Sequence, residues 1–234
     1  MNDDFYVGYQ PRAPRGLGLF VRGAAVGVGL LAALIGLVLL YGQGPFDRGT
    51  FAYLDYRSYS GVLRLGPYPR IDGYWLVGPG KHGADAADLG GEGAQLRMKG
   101  ALIENGADRM LEVLPGSIER GPAGAVTADV ELGRAILTGE IVDTKCYFGV
   151  MKPGRGKVHR ACAARCLSGG IPAGLLVRDA EGTARVVMLA GRDGRAVSRE
   201  AARLAGDRVT VAGALVRSGD SLILKSEPRE YVRE

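Results

Sequence analysis

From Gly23 to Tyr41 the chain reads GAAVGVGLLAALIGLVLLY, 19 residues with no charge and no strongly hydrogen-bonding side chain. Few structures can accommodate such a run. As a helix rising about 1.5 Å per residue it spans roughly 28 Å, the thickness of a bilayer's hydrocarbon core. A helix on the surface of a soluble domain keeps a polar stripe for water, and this run has none. It reads as a transmembrane helix over residues 23–41. Arg12, Arg15 and Arg22 precede it, whereas only Arg48, beside Asp47, follows closely. Basic flanks stay in the cytoplasm, so residues 1–22 form a cytoplasmic tail and the rest of the chain lies outside. The sequence after the run, YGQGPFDRG, offers no small-x-small cleavage site. An uncleaved anchor is therefore expected rather than a signal peptide, in a single-pass protein of a bacterial inner membrane with its C-terminal part in the periplasm.

That topology changes the meaning of the charge. The net charge of +5 and pI near 9.2 would ordinarily suggest nucleic acid. Outside the cytoplasm that partner is mostly absent, and the basic balance points instead to anionic lipid head groups, an acidic protein partner or a local anionic site. The same compartment is oxidising, which bears on every cysteine.

Residues 42–57 carry turn residues and no sustained period, as a linker does. Beyond them apolar and polar residues alternate, the pattern of half-buried strands. Strands are expected at Tyr59–Leu65, Tyr74–Val77, Ala94–Ile103 and Arg109–Val113. A second set is expected at Ala135–Val142, Leu175–Val177, Ala184–Leu189, Arg208–Val216 and Ser221–Lys225, with one helix at Ser198–Ala205. The two sets share features in the same order. QLRMKGALIENG ends in the frame of RVTVAGALVRSG, Gly61 answers Gly139, and the YWLV at Tyr74 answers the GLLV at Gly174. Short strands with exposed edges invite aggregation, and closing them into a barrel removes the edges. The expected fold is mainly β: two tandem five-stranded barrels of the oligonucleotide/oligosaccharide-binding (OB) type, over residues 58–120 and 121–234.

In this alignment Gly61 to Val77 spans 16 positions and Gly139 to Val177 spans 38. The second barrel thus carries an insertion, over residues 143–170, that its sister folds without. It contains all three cysteines and one of the two histidines: Cys146, His159, Cys162 and Cys166. KVHRACAARCLSGG reads as a short helix over Val158–Leu167 closed by Gly169 and Gly170. On it His159, Cys162 and Cys166 fall at i, i+3 and i+7, one face. The turn MKPGRGK can return Cys146 over that face. His159 lies one turn back, so with a bend at the helix end these four residues would make a Cys3His donor set, for which zinc is the leading metal and copper or an iron–sulfur centre the alternatives. Lys145, Lys152, Arg155, Lys157, Arg160 and Arg165 crowd the same stretch, and cations favour thiolates. The opposing reading is a disulfide from Cys146 to Cys162 or Cys166 that staples the loop, with one cysteine left over. The second histidine lies in GPGKHGA, where Lys81 and His82 are candidates for binding an anion or cofactor. His82 could instead face the cysteine cluster across the two barrels, or the segment is simply an exposed turn.

The motif D-x-K-C (Asp143 to Cys146), then H-x-x-C-A-x-x-C (His159 to Cys166) and Gly169-Gly170, resembles a family of uncharacterised bacterial extracytoplasmic OB-like proteins anchored in the membrane. The resemblance covers residues 135–226 and implies an OB-like fold without assigning a chemistry. The layout is also similar to that of the haem chaperone of cytochrome c maturation, but its H-x-x-x-Y haem motif is missing here. No nucleophile elbow, Walker, Rossmann or zincin motif is present. The expectation is an accessory subunit of a membrane-associated redox complex without independent catalysis, or else a scaffold whose stapled loop docks a partner.

Overall fold

The computed structural model describes residues 14–42 and 48–234. Arg12, with the rest of the first 13 residues, and the linker residues 43–47 lie outside the described residues. Helix α1, Arg15–Gly42, encloses the whole apolar run and buries none of its side chains. It is an apolar helix with the length and composition of a single-pass anchor or signal sequence. The barrels form a separate compact unit.

The first barrel closes five strands: β1 (Thr50–Arg64), β2 (Arg70–Ile71), β3 (Tyr74–Val77), β4 (Ala94–Asn105) and β5 (Asp108–Val113). Their order is β1-β2-β3-β5-β4, with β4 pairing back onto β1. A short helix α2 (Ala86–Leu89) lies before β4, and an added strand β6 (Glu119–Ala123) flanks it. The second barrel repeats the scheme with β7 (Val130–Asp143), β8 (Ala173–Arg178), β9 (Ala184–Ala190), β10 (Arg208–Ser218) and β11 (Ser221–Lys225). Its order is β7-β8-β9-β11-β10, closed by β7 on β10 and flanked by β12 (Val232–Arg233). In each barrel one pair is parallel, β3 with β5 and β9 with β11. Two mixed five-stranded barrels of the expected type follow the helix.

The internal repeat is visible in the registers. Gly61 faces Leu96 and Gly139 faces Val209, while Leu102 faces Leu111 and Leu215 faces Leu224. At both glycines an added Cβ would collide with residues of the next strand region, Asp72 in one barrel and Leu176 in the other. One pairing expected from sequence is corrected. Trp75 faces Met110 across β3–β5, and Met188 faces Ile223 across β9–β11. Tyr74–Val77 therefore corresponds to residues 187–190, and Gly174–Val177 corresponds to the strand at Arg70–Ile71. A run of four apolar residues fits any buried strand, so it could not choose between neighbours. The insertion remains between the first two strands of the second barrel, residues 144–172.

β1 begins at Thr50, not Tyr59, and so takes in half of the stretch read as linker. Its first half shifts register between Phe51 and Tyr56, around Leu54 with φ of 64°. A bulge breaks the alternation on which the reading depended. β4 shows the alternation plainly: Leu96 and Met98 are buried, Arg97 and Lys99 exposed.

Each barrel has its own apolar centre, around Leu63, Leu76 and Leu96 in the first and around Ile141, Leu175 and Val209 in the second. A third cluster spans both, packing Trp75, Ile103 and Met110 of the first against Phe148, Cys166 and Met188 of the second. The two barrels thus fold around a shared seam, and the insertion lies in it.

At the start of β5, burial raises the Asp108 carboxyl from 3.8 to about 6, partly opposed by Arg185. The folded state holds this proton more tightly than the unfolded chain does. Its contribution is therefore most favourable below about pH 4 and is lost as pH rises through about 6. Asp108→Asn should match the parent below pH 4 and exceed its stability above pH 6, by about 1–3 kcal/mol. Thermal unfolding at pH 4 and pH 7.5 measures this; equal melting temperatures at both values would refute it.

Candidate metal centre

The insertion leaves β7 at Asp143, which is fully buried. Its Oδ1 accepts the Cys146 N–H at 2.8 Å. The chain then makes a single π turn, Cys146–Val150, closed by the Met151 N–H on the Cys146 carbonyl. The turn returns through residues 152–158 to helix α3, Arg160–Ser168. Ala163 and Leu167 pin α3 to the second barrel. That orientation directs Cys162 and Cys166 toward Cys146, as the i, i+3, i+7 pattern requires.

Cys146 Sγ and Cys166 Sγ lie 3.9 Å apart. With Cys162 Sγ they form a group whose atoms all lie within 4.8 Å of one another. A disulfide needs about 2.05 Å, so no sulfur pair stands at bonding distance. Three thiolates about 2.3 Å from one tetrahedral ion would stand roughly 3.8 Å apart, so the spacing and the soft donors fit a metal. Cys146 and Cys166 are buried, while Cys162 is half-buried and gives the group its solvent side.

His159 is placed differently. It is buried just before α3, and its Nε2–H donates to Asp143 Oδ2 at 2.9 Å. Asp143, Cys146 and His159 form a second group of potential ligands within 4.8 Å, sharing Cys146 with the first. The four expected ligands therefore divide into a three-sulfur group and an Asp/Cys/His group, joined at Cys146.

A residue of the first barrel completes the electrostatics. Lys81 Nζ lies 2.9 Å from Cys162 Sγ and 3.7 Å from Cys166 Sγ. The hydrogen bond to Cys162 holds the Lys81 ammonium above its ordinary pKa. The Cys166 thiol is lowered to about 7, chiefly because Cys146 donates its S–H to it, with Lys81 adding to the effect against burial. Cys146 is pushed the other way, by that same hydrogen bond and by burial, with Asp143 close by. A cation bound by these sulfurs would displace the thiol proton between Cys146 and Cys166.

The turn carrying Lys81 is fixed at both ends. The buried Lys145 ammonium donates to the Gly78 and Gly80 carbonyls at 2.8 and 2.7 Å and pairs with Glu112 at 2.5 Å. Farther along, the Gly83 N–H donates to the Gly169 carbonyl at 3.0 Å. α3 ends there in a Schellman arrangement, with the Ile171 N–H on Cys166 O, the Gly170 N–H on Leu167 O, and Gly170 at φ of 91°. A Cβ on Gly169 would strike the Lys81 carbonyl. The two glycines thus end the helix and let the opposite barrel approach.

Of the residues singled out in GPGKHGA, Lys81 reaches the sulfurs. His82 is exposed, and its carbonyl accepts the Gly78 N–H to close the turn. Asp143 and Lys145 were expected beside the cysteines only as the D-x-K-C motif and one of the surrounding cations, and Glu112 was not expected there. The first two were legible in D-x-K-C as a motif, although spacing alone cannot show that Lys145 points away from the cysteines. Glu112 carried no signal beyond being an acid in an apolar strand. No protein-family model, curated protein or solved structure matches the chain.

Proposed function

We propose that this chain is a single-pass membrane protein whose periplasmic barrels hold a cysteine-ligated metal, serving a larger membrane-associated redox complex as an accessory subunit. The observation that carries the reading is the convergence of Cys146, Cys162 and Cys166 within 4.8 Å at the seam between the barrels. Cys146 and Cys166 would supply the inner thiolates and Cys162 the outer one. Asp143 orients His159 beside Cys146, and the Lys81 ammonium offsets the negative charge of a metal–thiolate unit. Zinc suits the donor set for a structural role; copper in the same thiolates would add one-electron transfer. The positive flank of α1 supports a cytoplasmic N-terminus and periplasmic barrels.

A second reading draws on the same 3.9 Å approach of Cys146 and Cys166. Exchange with an oxidised dithiol of the periplasm, which takes up both electrons and both thiol hydrogens, would join that pair and staple the insertion, leaving a non-catalytic scaffold that docks a partner protein.

Native and denaturing mass spectrometry of the full chain, purified in detergent from membranes, separates the two. The expected result is one metal per chain with all thiols reduced, and loss of the metal in Cys162→Ser. A metal-free protein lighter by about two mass units, the two hydrogens removed by a disulfide, would instead establish the scaffold.

A further inference from the structure

The same insertion builds a second feature that no part of the metal reading uses. On the second barrel a cleft of about 610 Å³ opens beside β7, β8 and β10. Its volume lies within the range of about 300–1,000 Å³ usual for small-ligand sites. Six cationic side chains line it: Arg155, Lys157 and Arg160 from the insertion, and Arg178, Arg208 and Arg233 from the strands. Three carboxylate side chains, Glu140, Asp207 and Glu234, face them.

The carboxylates are already engaged. Asp207 pairs with both Arg160 and Arg233. Glu140 accepts the Gly156 N–H, and Glu234 accepts the Thr210 hydroxyl. Among the described residues Lys157 and Arg208 have no carboxylate within 4.0 Å, and Arg178 donates to the Gly182 carbonyl. Concentrating like charge in one concavity is unfavourable for the protein alone and becomes favourable when a multivalent anion enters. Guanidinium groups from separate strands present planar donor pairs that match phosphate oxygens.

We infer that this cleft binds a small ligand carrying two or more negative charges, of the phosphate-ester or pyrophosphate class. Two sources offer that chemistry, a soluble phosphorylated molecule and a phospholipid head group. The inference is independent of the metal, since Arg178 and Arg208 belong to the barrel wall and not to the cysteine group.

The test uses the full chain in lipid nanodiscs at low ionic strength, with inorganic pyrophosphate as probe and calorimetry as readout. Saturable binding at one site per chain is expected, weakened about tenfold or more in the Arg178→Gln/Arg208→Gln variant. The exposed pair Arg97→Gln/Arg217→Gln, outside the cleft, should leave it unchanged. Lys157→Gln, on an exposed turn, should weaken binding on its own and serves if the double variant does not fold. A second arm replaces zwitterionic lipid with phosphatidylglycerol and follows amide exchange over residues 155–160 and 206–208. Protection there that is lost in the double variant, without pyrophosphate binding, assigns the cleft to a lipid head group. Absence of both effects, or equal binding by parent and double variant, overturns the proposal. Metal content, measured on the same samples, should not change in any of these variants.

Discussion

Lys145→Met is expected to destabilise the barrels by about 3–5 kcal/mol, the usual effect of removing one partner from a buried ion pair. The Lys145 side chain is 2 % exposed and that of Glu112 9 %. Its ammonium has three donors and finds three acceptors, Glu112 Oε2 and the Gly78 and Gly80 carbonyls. Methionine replaces most of the stem but none of the donors, so a buried carboxylate and two carbonyls are left without a partner. Adding Glu112→Gln removes the stranded charge, and the double variant should recover at least about 1 kcal/mol of the loss. The turn over residues 78–83 should also come free, so the Gly83 amide, bonded to Gly169 in the parent, should exchange rapidly in Lys145→Met. A single variant as stable as the parent, with Gly83 still protected, would mean that the ion pair does not hold the seam.

Lys145 also shows where sequence reading stops. Its place in D-x-K-C and the cations around it suggested that it faces the cysteines and lowers their pKa. Local spacing cannot distinguish a lysine aimed at the next residue from one aimed at a strand 33 positions earlier. The role went to Lys81, 81 positions before Cys162. By contrast, the face shared by Cys162 and Cys166 was legible because helical period alone decides it. So was the repeat, because the glycines at 61 and 139 and the hairpins after Gly100 and Gly213 mark backbone geometry rather than apolar character. Strands lacking that support were missed: Glu119–Ala123 is wholly exposed and contains Gly and Pro, and Arg70–Ile71 is two residues long.

The sharing of Cys146 between two donor groups makes a graded set of variants decisive about where the metal sits. If the three sulfurs hold it, Cys166→Ser should take the protein from one bound metal per chain to none, because a serine hydroxyl is a poor ligand for a soft-metal site. Asp143→Asn should leave the metal bound but weaken it by about 10–100-fold, the usual cost of losing an outer-shell partner. The amide keeps an oxygen that can still accept the Cys146 N–H, while the second carboxylate oxygen facing His159 is lost. His159→Gln should fall in the same range. The pattern reverses if Asp143, Cys146 and His159 are the ligands: His159→Gln then empties the site, whereas Cys166→Ser and Cys162→Ser retain the metal. Cys146→Ser empties it in both cases and serves as the common reference. Competition against a chromophoric chelator, with each variant's far-ultraviolet spectrum compared with the parent's, reads out the affinities and separates ligand loss from unfolding. The three-sulfur assignment predicts the first order because Cys166 is buried, lies 3.9 Å from Cys146 and stands with Cys162 beside the Lys81 ammonium, which balances their charge.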